Sequence, residues 1–223
     1  MPENNFAKIK RLMATGGVVA ASSGANAVVY DRDCPFELRS LDASTGSDGD
    51  DGAGRLDTIT VRISVEGDAG AARSITVELC SESDLFFHFT RVITAADFSQ
   101  VQEQQNLRVD FSEFAAVLQS SFDAVIQQPR VHLAVFVTQA SGHARLNFIQ
   151  NMNYKFVELL HIAFEASSEG TVRDSITRRY NSVKATLALS RSKMSDLRDV
   201  VKVKNPSLMK QWTATQKRGA GLG

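Results

Sequence analysis

The chain has 223 residues, 43% of them hydrophobic, with 25 basic residues balancing 25 acidic ones. That is enough apolar material for one well-buried domain, and a net charge of zero points to neither nucleic acid nor a membrane surface. No stretch approaches the roughly 18 consecutive apolar residues of a membrane span, so a transmembrane helix is excluded.

Residues 1–25 are rich in Gly, Ala and Ser, lack periodicity, and are expected to form a disordered arm. Order is expected from Val28, where Val28, Tyr30, Phe36 and Leu38 supply the apolar anchors of a kinked first strand. Pro35 within it denies one ladder hydrogen bond, which suits an edge or bulged strand. Residues 44–54, STGSDGDDGAG, read as a flexible acidic connection, without the Glu that an EF-hand calcium loop needs at its twelfth position. Ile59, Val61, Ile63 and Val65 then alternate with Thr60, Arg62, Ser64 and Glu66, the period of a half-buried strand. Ile75, Val77 and Leu79 repeat the pattern after Gly67 and Gly70, which predicts a hairpin. Leu85, Phe87 and Phe89 continue the alternation and leave Phe86 on the opposite face, toward the helices that follow.

The period changes at Thr94. Thr94 with Asp97 forms a capping box, Phe98 and Val101 give the short helix an apolar face, and Asn106 ends it. Asp110 with Glu113 opens a second helix whose Phe111, Phe114, Leu118, Phe122 and Val125 recur at spacings of three and four until Pro129. Strand alternation returns at Val131, Leu133, Val135 and Val137, continues through Leu146 and Phe148, and ends with a long strand from Phe156 to Phe164. The fold expected is α+β, mainly β: an antiparallel β-sandwich or barrel of about seven strands with an inserted helix-turn-helix, followed by a C-terminal helix. In residue numbers, a head spans 26–168 with the insert at 94–128, a helix spans 169–204, and a disordered basic tail spans 205–223.

The C-terminal helix carries Ile176, Tyr180, Val183, Leu187, Met194, Leu197 and Val201 at alternating steps of four and three, with Ser190 at the missing core position. This partial heptad suits either a short coiled coil or docking on the parent domain. From Arg173 onward twelve Lys and Arg face three Asp, so a +9 segment follows a body at −9.

Little in the sequence announces chemistry. Cys34 and Cys80 are too few for a disulfide framework and read as buried thiols in a reducing compartment. His88, His132, His143 and His161 are dispersed without zinc-ligand spacing, and no phosphate-cradling glycine motif or nucleophile elbow occurs. Neither cofactor, metal nor catalytic residue is expected, and the function expected is non-enzymatic.

From Asp84 the sequence DLFFHFTRVITAADFSQVQEQQNLRVDFSEF joins strand, capped helix and second helix in one gap-free pattern. Its Phe86-Phe87 pair, Ile93-Thr94 entry, Asp97-Phe98, Gln104-Gln105 exit and Val109-Asp110-Phe111 resemble the N-terminal head of the spindle assembly abnormal six family, proteins that build the centriolar cartwheel. The resemblance extends more weakly across residues 27–190. It implies a sandwich head with a helix-turn-helix insert, shared with certain DNA-repair scaffolds. It also implies self-association, in which an aromatic knob, normally Phe, enters a hydrophobic pocket of the next head. The hairpin NFIQNMNYKFVELLHIAF aligns with the family's knob, placing Tyr154 there with Met152, Asn153 and Lys155 around it. The family's second contact is a long parallel coiled coil, for which Ile176, Tyr180, Val183 and Leu187 are the candidates here. The heptads fail before Pro206, which resembles the short "like" branch associated with flagellar bases and apical structures. The expected role is a self-assembling homo-oligomeric scaffold of a centriole, basal body, flagellar base or apical cytoskeleton, with other basal-body proteins, tubulin among them, as partners. The alternative is a nucleic-acid-associated scaffold of the DNA-repair type that uses the basic tail.

Overall fold

The computed structural model describes residues 27–41, 54–68 and 71–207. The arm at 1–25, nearly all of the acidic connection, the turn at 69–70, and the tail from 208, with Trp212, lie outside the described residues. Two compact units meet between Ser167 and Ser168. The first holds β1 (Ala27–Ser40), β2 (Arg55–Asp68), β3 (Ala71–Ser81), β4 (His88–Thr94), α1 (Ala95–Gln105), α2 (Phe111–Gln127), β5 (His132–Thr138), β6 (His143–Met152) and β7 (Lys155–Ala166). The second holds α3 (Glu169–Lys204).

The seven strands close into a barrel in the order β1-β2-β3-β4-β7-β6-β5. Six junctions are antiparallel, as the hairpin patterns require, but β1 and β5 run parallel from Phe36↔Ala134 to Ser40↔Thr138. An all-antiparallel sheet is therefore corrected at that one junction. Pro35 is tolerated because the β5 ladder begins one residue later, which leaves a partner strand on one side only. The irregularity of β1 lies at Val28/Tyr30 rather than at the proline, and Val28 is exposed instead of anchoring the core.

The period-2 pattern of β2 and β3 turns Ile59, Val61, Ile63, Ile75, Val77 and Leu79 inward, all fully buried. In β5 the buried residues fall on both faces: of the expected alternating set only Val135 is buried, between Ala134 and Phe136. Ala134 and Phe136 join the core, while Leu133 and Val137 are half-buried and Val131 is exposed. The run at 132–138 is apolar on both faces, so periodicity alone could not choose the phase. The strand expected from Leu85 starts only at His88; residues 82–87 form turns in which Asp84 Oδ1 accepts the Phe86 N–H at 2.9 Å. Phe87 and Phe89 pack edge-on, 5.0 Å apart. Phe86, expected on the face toward the helices, is 80% exposed.

The capping box of α1 is complete. Asp97 N–H donates to Thr94 Oγ1, and Asp97 Oδ2 accepts from the Thr94 N–H and hydroxyl. Asn106, at φ 53°, ends the helix in the left-handed conformation that Asn tolerates. Asp110 is the N-cap of α2 but makes no side-chain cap bond; its backbone carbonyl accepts from Glu113 N–H instead. The stripe Phe114, Leu118, Phe122 and Val125 is buried, and Phe98 packs on Phe111 and Phe114. Each such side chain contributes about 1.5–3 kcal/mol on leaving water.

The helices complete a wall that the strands leave short. β4 and β7 share only Phe89↔Ala166 and Thr90↔Glu165. Further along β7, the Gln105 side chain takes the place of a strand: its Oε1 accepts from His161 N–H at 2.8 Å and its Nε2 donates to His161 C=O at 2.9 Å. On the other side, Asp123 of α2 accepts from the Tyr30 hydroxyl at 2.9 Å and from Arg32 at 3.1 Å. Burial, then the neighbouring Asp123, pushes the Cys34 thiol up to about 12, so it is an inert, protonated core group. Cys80 is also buried, and its thiol donates to the Thr60 carbonyl at 3.8 Å.

Asp57 fastens the β3–β4 connection to β2. The Ser83 hydroxyl at 2.7 Å, the Thr58 N–H and Arg55 hold its carboxyl below the usual carboxylate range. Asp97 is held low by the Thr94 N–H and hydroxyl. Both folded pKa values lie below the unfolded value of about 3.9, so the stability they contribute is complete above that pH and is lost as the pH falls through them. Thermal melts between roughly pH 6 and pH 2 should therefore show an acid limb that is shallower in Asp57→Asn, which also starts from a lower midpoint at neutral pH. Parallel wild-type and variant curves would remove Asp57 from this account.

Candidate self-association site

Strands β6 and β7 form a hairpin that pairs from His143↔Glu165 to Met152↔Lys155. One cross-strand bond stiffens its stem, Glu158 Oε1 accepting from Arg145 at 2.7 Å, and the same oxygen contacts His161 Nδ1 of its own strand at 2.8 Å. Asn151 ties the far end of β6 to the loop before β5, through its N–H to the Val131 carbonyl and its Nδ2 to the Arg130 carbonyl. A two-residue turn, Asn153-Tyr154, caps the hairpin. Tyr154 is 82% exposed there, with Met152 at 37% and Asn153 and Lys155 also exposed. The structure thus brings all four expected contact residues to one tip. It adds Phe156, the first residue expected of the last strand, which is 66% exposed close to Tyr154 in sequence. The core contribution of β7 begins only at Leu160, followed by Ile162 and Phe164.

Below the tip the same strands border an apolar cleft of about 620 Å³, closed on its other side by α2. Ala116, Val117 and Ser120 line the helix side, and Leu133, Ile149 and Leu159 line the strand side. The cleft exists because α2 carries small residues there: Ala116, Ser120 and Ala124 recur at steps of four, outside the aromatic stripe, and leave space unfilled. On the strands, the register slips between Phe148 and Ile149, so Leu159 is an extra residue in β7 and is half-exposed at the cleft. The sequence signals for this cleft are the small-residue row on α2 and the out-of-phase Leu159-Leu160 pair.

The second candidate surface lies on α3. Ser168 caps it, accepting from Thr171 N–H, and Glu169 in the first turn with Lys202 and Lys204 in the last complement the helix dipole. Tyr180, Val183, Leu187, Met194 and Leu197 are between 48% and 65% exposed, and Ile176 is half-buried. The six residues singled out as the signature at 86–111 serve the fold or lie outside any site: Phe87, Phe98 and Phe111 pack in or on the core, Asp97 and Asp110 start helices, and Phe86 is exposed. No cluster of three or more His, Cys, Asp or Glu able to hold a metal occurs among the described residues.

This is the frame of a helix-bearing β-barrel head followed by a long helix. A family model described as "Centriolar protein SAS N-terminal domain" matches residues 28–164, and the chain belongs to that family, whose members are structural proteins. Solved structures share the fold. An N-terminal fragment of Leishmania SAS-6 containing part of its coiled coil domain has a TM-score of 0.63 at 16% identity, over 78% of this chain and 97% of that one. A mutant form of such a fragment has a TM-score of 0.67 at 15% identity, over 82% and 99%. The N-terminal coiled-coil dimer of C. elegans SAS-6 has a TM-score of 0.57 at 12% identity, over 75% and 96%. No curated protein sequence matches the chain.

Proposed function

We propose that the protein is a self-assembling scaffold of the centriolar cartwheel class, acting at a centriole, basal body or flagellar or apical base. Its heads associate when Tyr154 of one copy enters the α2–β7 cleft of the next. In this reading residues 26–168 act as the head and 169–204 as a second contact. The observation that carries it is the pairing of an 82% exposed aromatic, on a stiffened hairpin tip, with an apolar cleft bordered by the same two strands. A knob and a socket on one face are what a two-fold interface requires, since each copy can then give and receive. Asn151, Asn153 and Lys155 supply a polar rim, and Met152 and Phe156 widen the apolar centre. Tyr in place of the family's usual Phe adds a hydroxyl that needs water or a partner when buried, which weakens the contact relative to Phe. The nucleic-acid alternative draws on the basic tail alone and gains no support from the family match or the solved structures.

Sedimentation of the wild type and Tyr154→Glu at high micromolar concentration tests this proposal. Association is expected in the wild type and weakened by about thirty-fold or more in the variant, the loss typical of a central aromatic anchor. Identical behaviour of the two would reject the knob. Phe156→Glu should fall between them.

A further inference from the structure

The helix wall of the α2–β7 cleft has an outer and an inner row. Steps of three and four keep Glu113, Ala116 and Ser120, all exposed, on one line of the α2 surface, and Val117, Ser121 and Val125 on the next, which runs from half-buried to buried. The facing wall of Leu133, Phe148, Ile149 and Leu159 carries hydrocarbon side chains only. Among the residues that line the cleft, Ser121 is therefore the polar side chain of the inner surface. The others sit on the outer row or at the ends: Ser112 in the first turn of α2, and His132 at the start of β5.

The Ser121 hydroxyl has already spent its proton. It donates to the Val117 carbonyl one turn back, at 2.8 Å, as serines inside helices often do. Its oxygen keeps its lone pairs, and no side chain among the described residues donates to them. An acceptor without a donor, on the inner wall of an apolar cleft, suits a ligand whose leading atom is a donor. A tyrosine ring carries its hydroxyl at the end farthest from the backbone, so the deeper the ring enters, the nearer the O–H comes to the inner row. A phenylalanine would bring a C–H to the same place.

We infer that Ser121 is the specificity-determining residue of the cleft: its oxygen accepts the hydroxyl of Tyr154 from the next copy. This rests on the head association proposed above. The desolvation of that hydroxyl, a full cost in an all-apolar socket, is here offset in part, and the cleft is matched to the tyrosine that this chain carries rather than to aromatic rings in general. In a two-fold contact the bond is made twice.

A double-mutant cycle on the full chain, read by sedimentation, tests this: wild type, Ser121→Ala, Tyr154→Phe and the pair together. Ser121→Ala should weaken association at least about ten-fold when Tyr154 is present, because its hydroxyl is then buried without a partner. With Tyr154→Phe in place, the same change should alter association by less than about two-fold. Alanine is the better helix former, so an unlowered thermal midpoint shows that the fold survives the change. An equal loss in both backgrounds overturns the inference, since Ser121 would then only shape the wall, and so does the lack of a loss in either. A tyrosine-dependent loss that appears with His132→Ala and not with Ser121→Ala overturns it as well, by placing the acceptor at the end of the cleft. Tyr154→Glu, run alongside, separates the two kinds of failure. If it associates like the wild type, the knob falls and the inference with it; if it does not associate while the cycle shows no coupling, Ser121 alone is rejected.

Discussion

Phe122→Ala is expected to lower the unfolding free energy by about 3–5 kcal/mol, the range for a buried aromatic truncated in a core that cannot collapse around the hole. Phe122 is fully buried and lies where helix and barrel meet. Its ring stacks parallel to Phe36 of β1 at 6.2 Å, lies 6.0 Å from Tyr30, and meets Phe148 of β6 edge-on at 4.9 Å. Its carbonyl accepts a long bond from the Cys34 thiol, and the next residue, Asp123, holds Tyr30 and Arg32. Truncation therefore opens a cavity between three elements at once, and strands pinned by their own ladders have little freedom to fill it. Phe122→Leu, which keeps most of the volume, should cost considerably less. Urea unfolding is the measurement: the midpoint should fall while the slope stays unchanged, the mark of lost packing in an otherwise intact native state. A loss below about 1 kcal/mol would mean that α2 is not the keystone that its contacts describe.

Ala116→Trp should abolish head association while leaving the fold intact. Ala116 is exposed on the cleft wall, so a larger side chain has solvent to escape into on the monomer but occupies the space an incoming ring needs. The loss should exceed about thirty-fold, since both sockets of a two-fold contact are blocked. The stronger result comes from mixing. Tyr154→Glu keeps its cleft and Ala116→Trp keeps its knob, so an equimolar mixture restores one of the two contacts and forms a weak heterodimer that neither variant forms alone. Sedimentation of the two separately and together reads this directly. If the mixture stays monomeric while each variant keeps wild-type thermal stability, knob and cleft do not belong to one interface.

The elements were far more legible than their arrangement. Alternation located β2 and β3 because each has one face in the core and one in water, and the capping box at Thr94 located α1 because it is a local exchange of hydrogen bonds. The aromatic stripe of α2 was visible for the same reason. The parallel β1–β5 junction was not, since pairing between Phe36 and Ala134 leaves no mark on either segment alone. Apolar letters also misled where they serve loops or surfaces: Phe86 and Phe156 fit an alternating pattern, yet one sits in a turn and the other beside a hairpin tip. Tyr154 was singled out by resemblance to a family hairpin, and the structure shows the tip it occupies. The cleft could be found only in three dimensions, because its walls come from a helix and from strands whose register slips at Leu159.

β1 bonds antiparallel to one neighbour, β2, and parallel to the other, β5. It is also the first strand of the described chain, while its parallel partner lies nearly a hundred residues downstream. Hairpins such as β2–β3 and β6–β7 close over short loops, but the cylinder shuts only when this distant pair meets, and such long-range pairing is slow. Until then β1 and β5 both present raw backbone to any other chain, the condition that favours misassembly between copies. A fragment begun after Ala27–Ser40 would leave both β2 and β5 without that partner strand and keep an open sheet permanently.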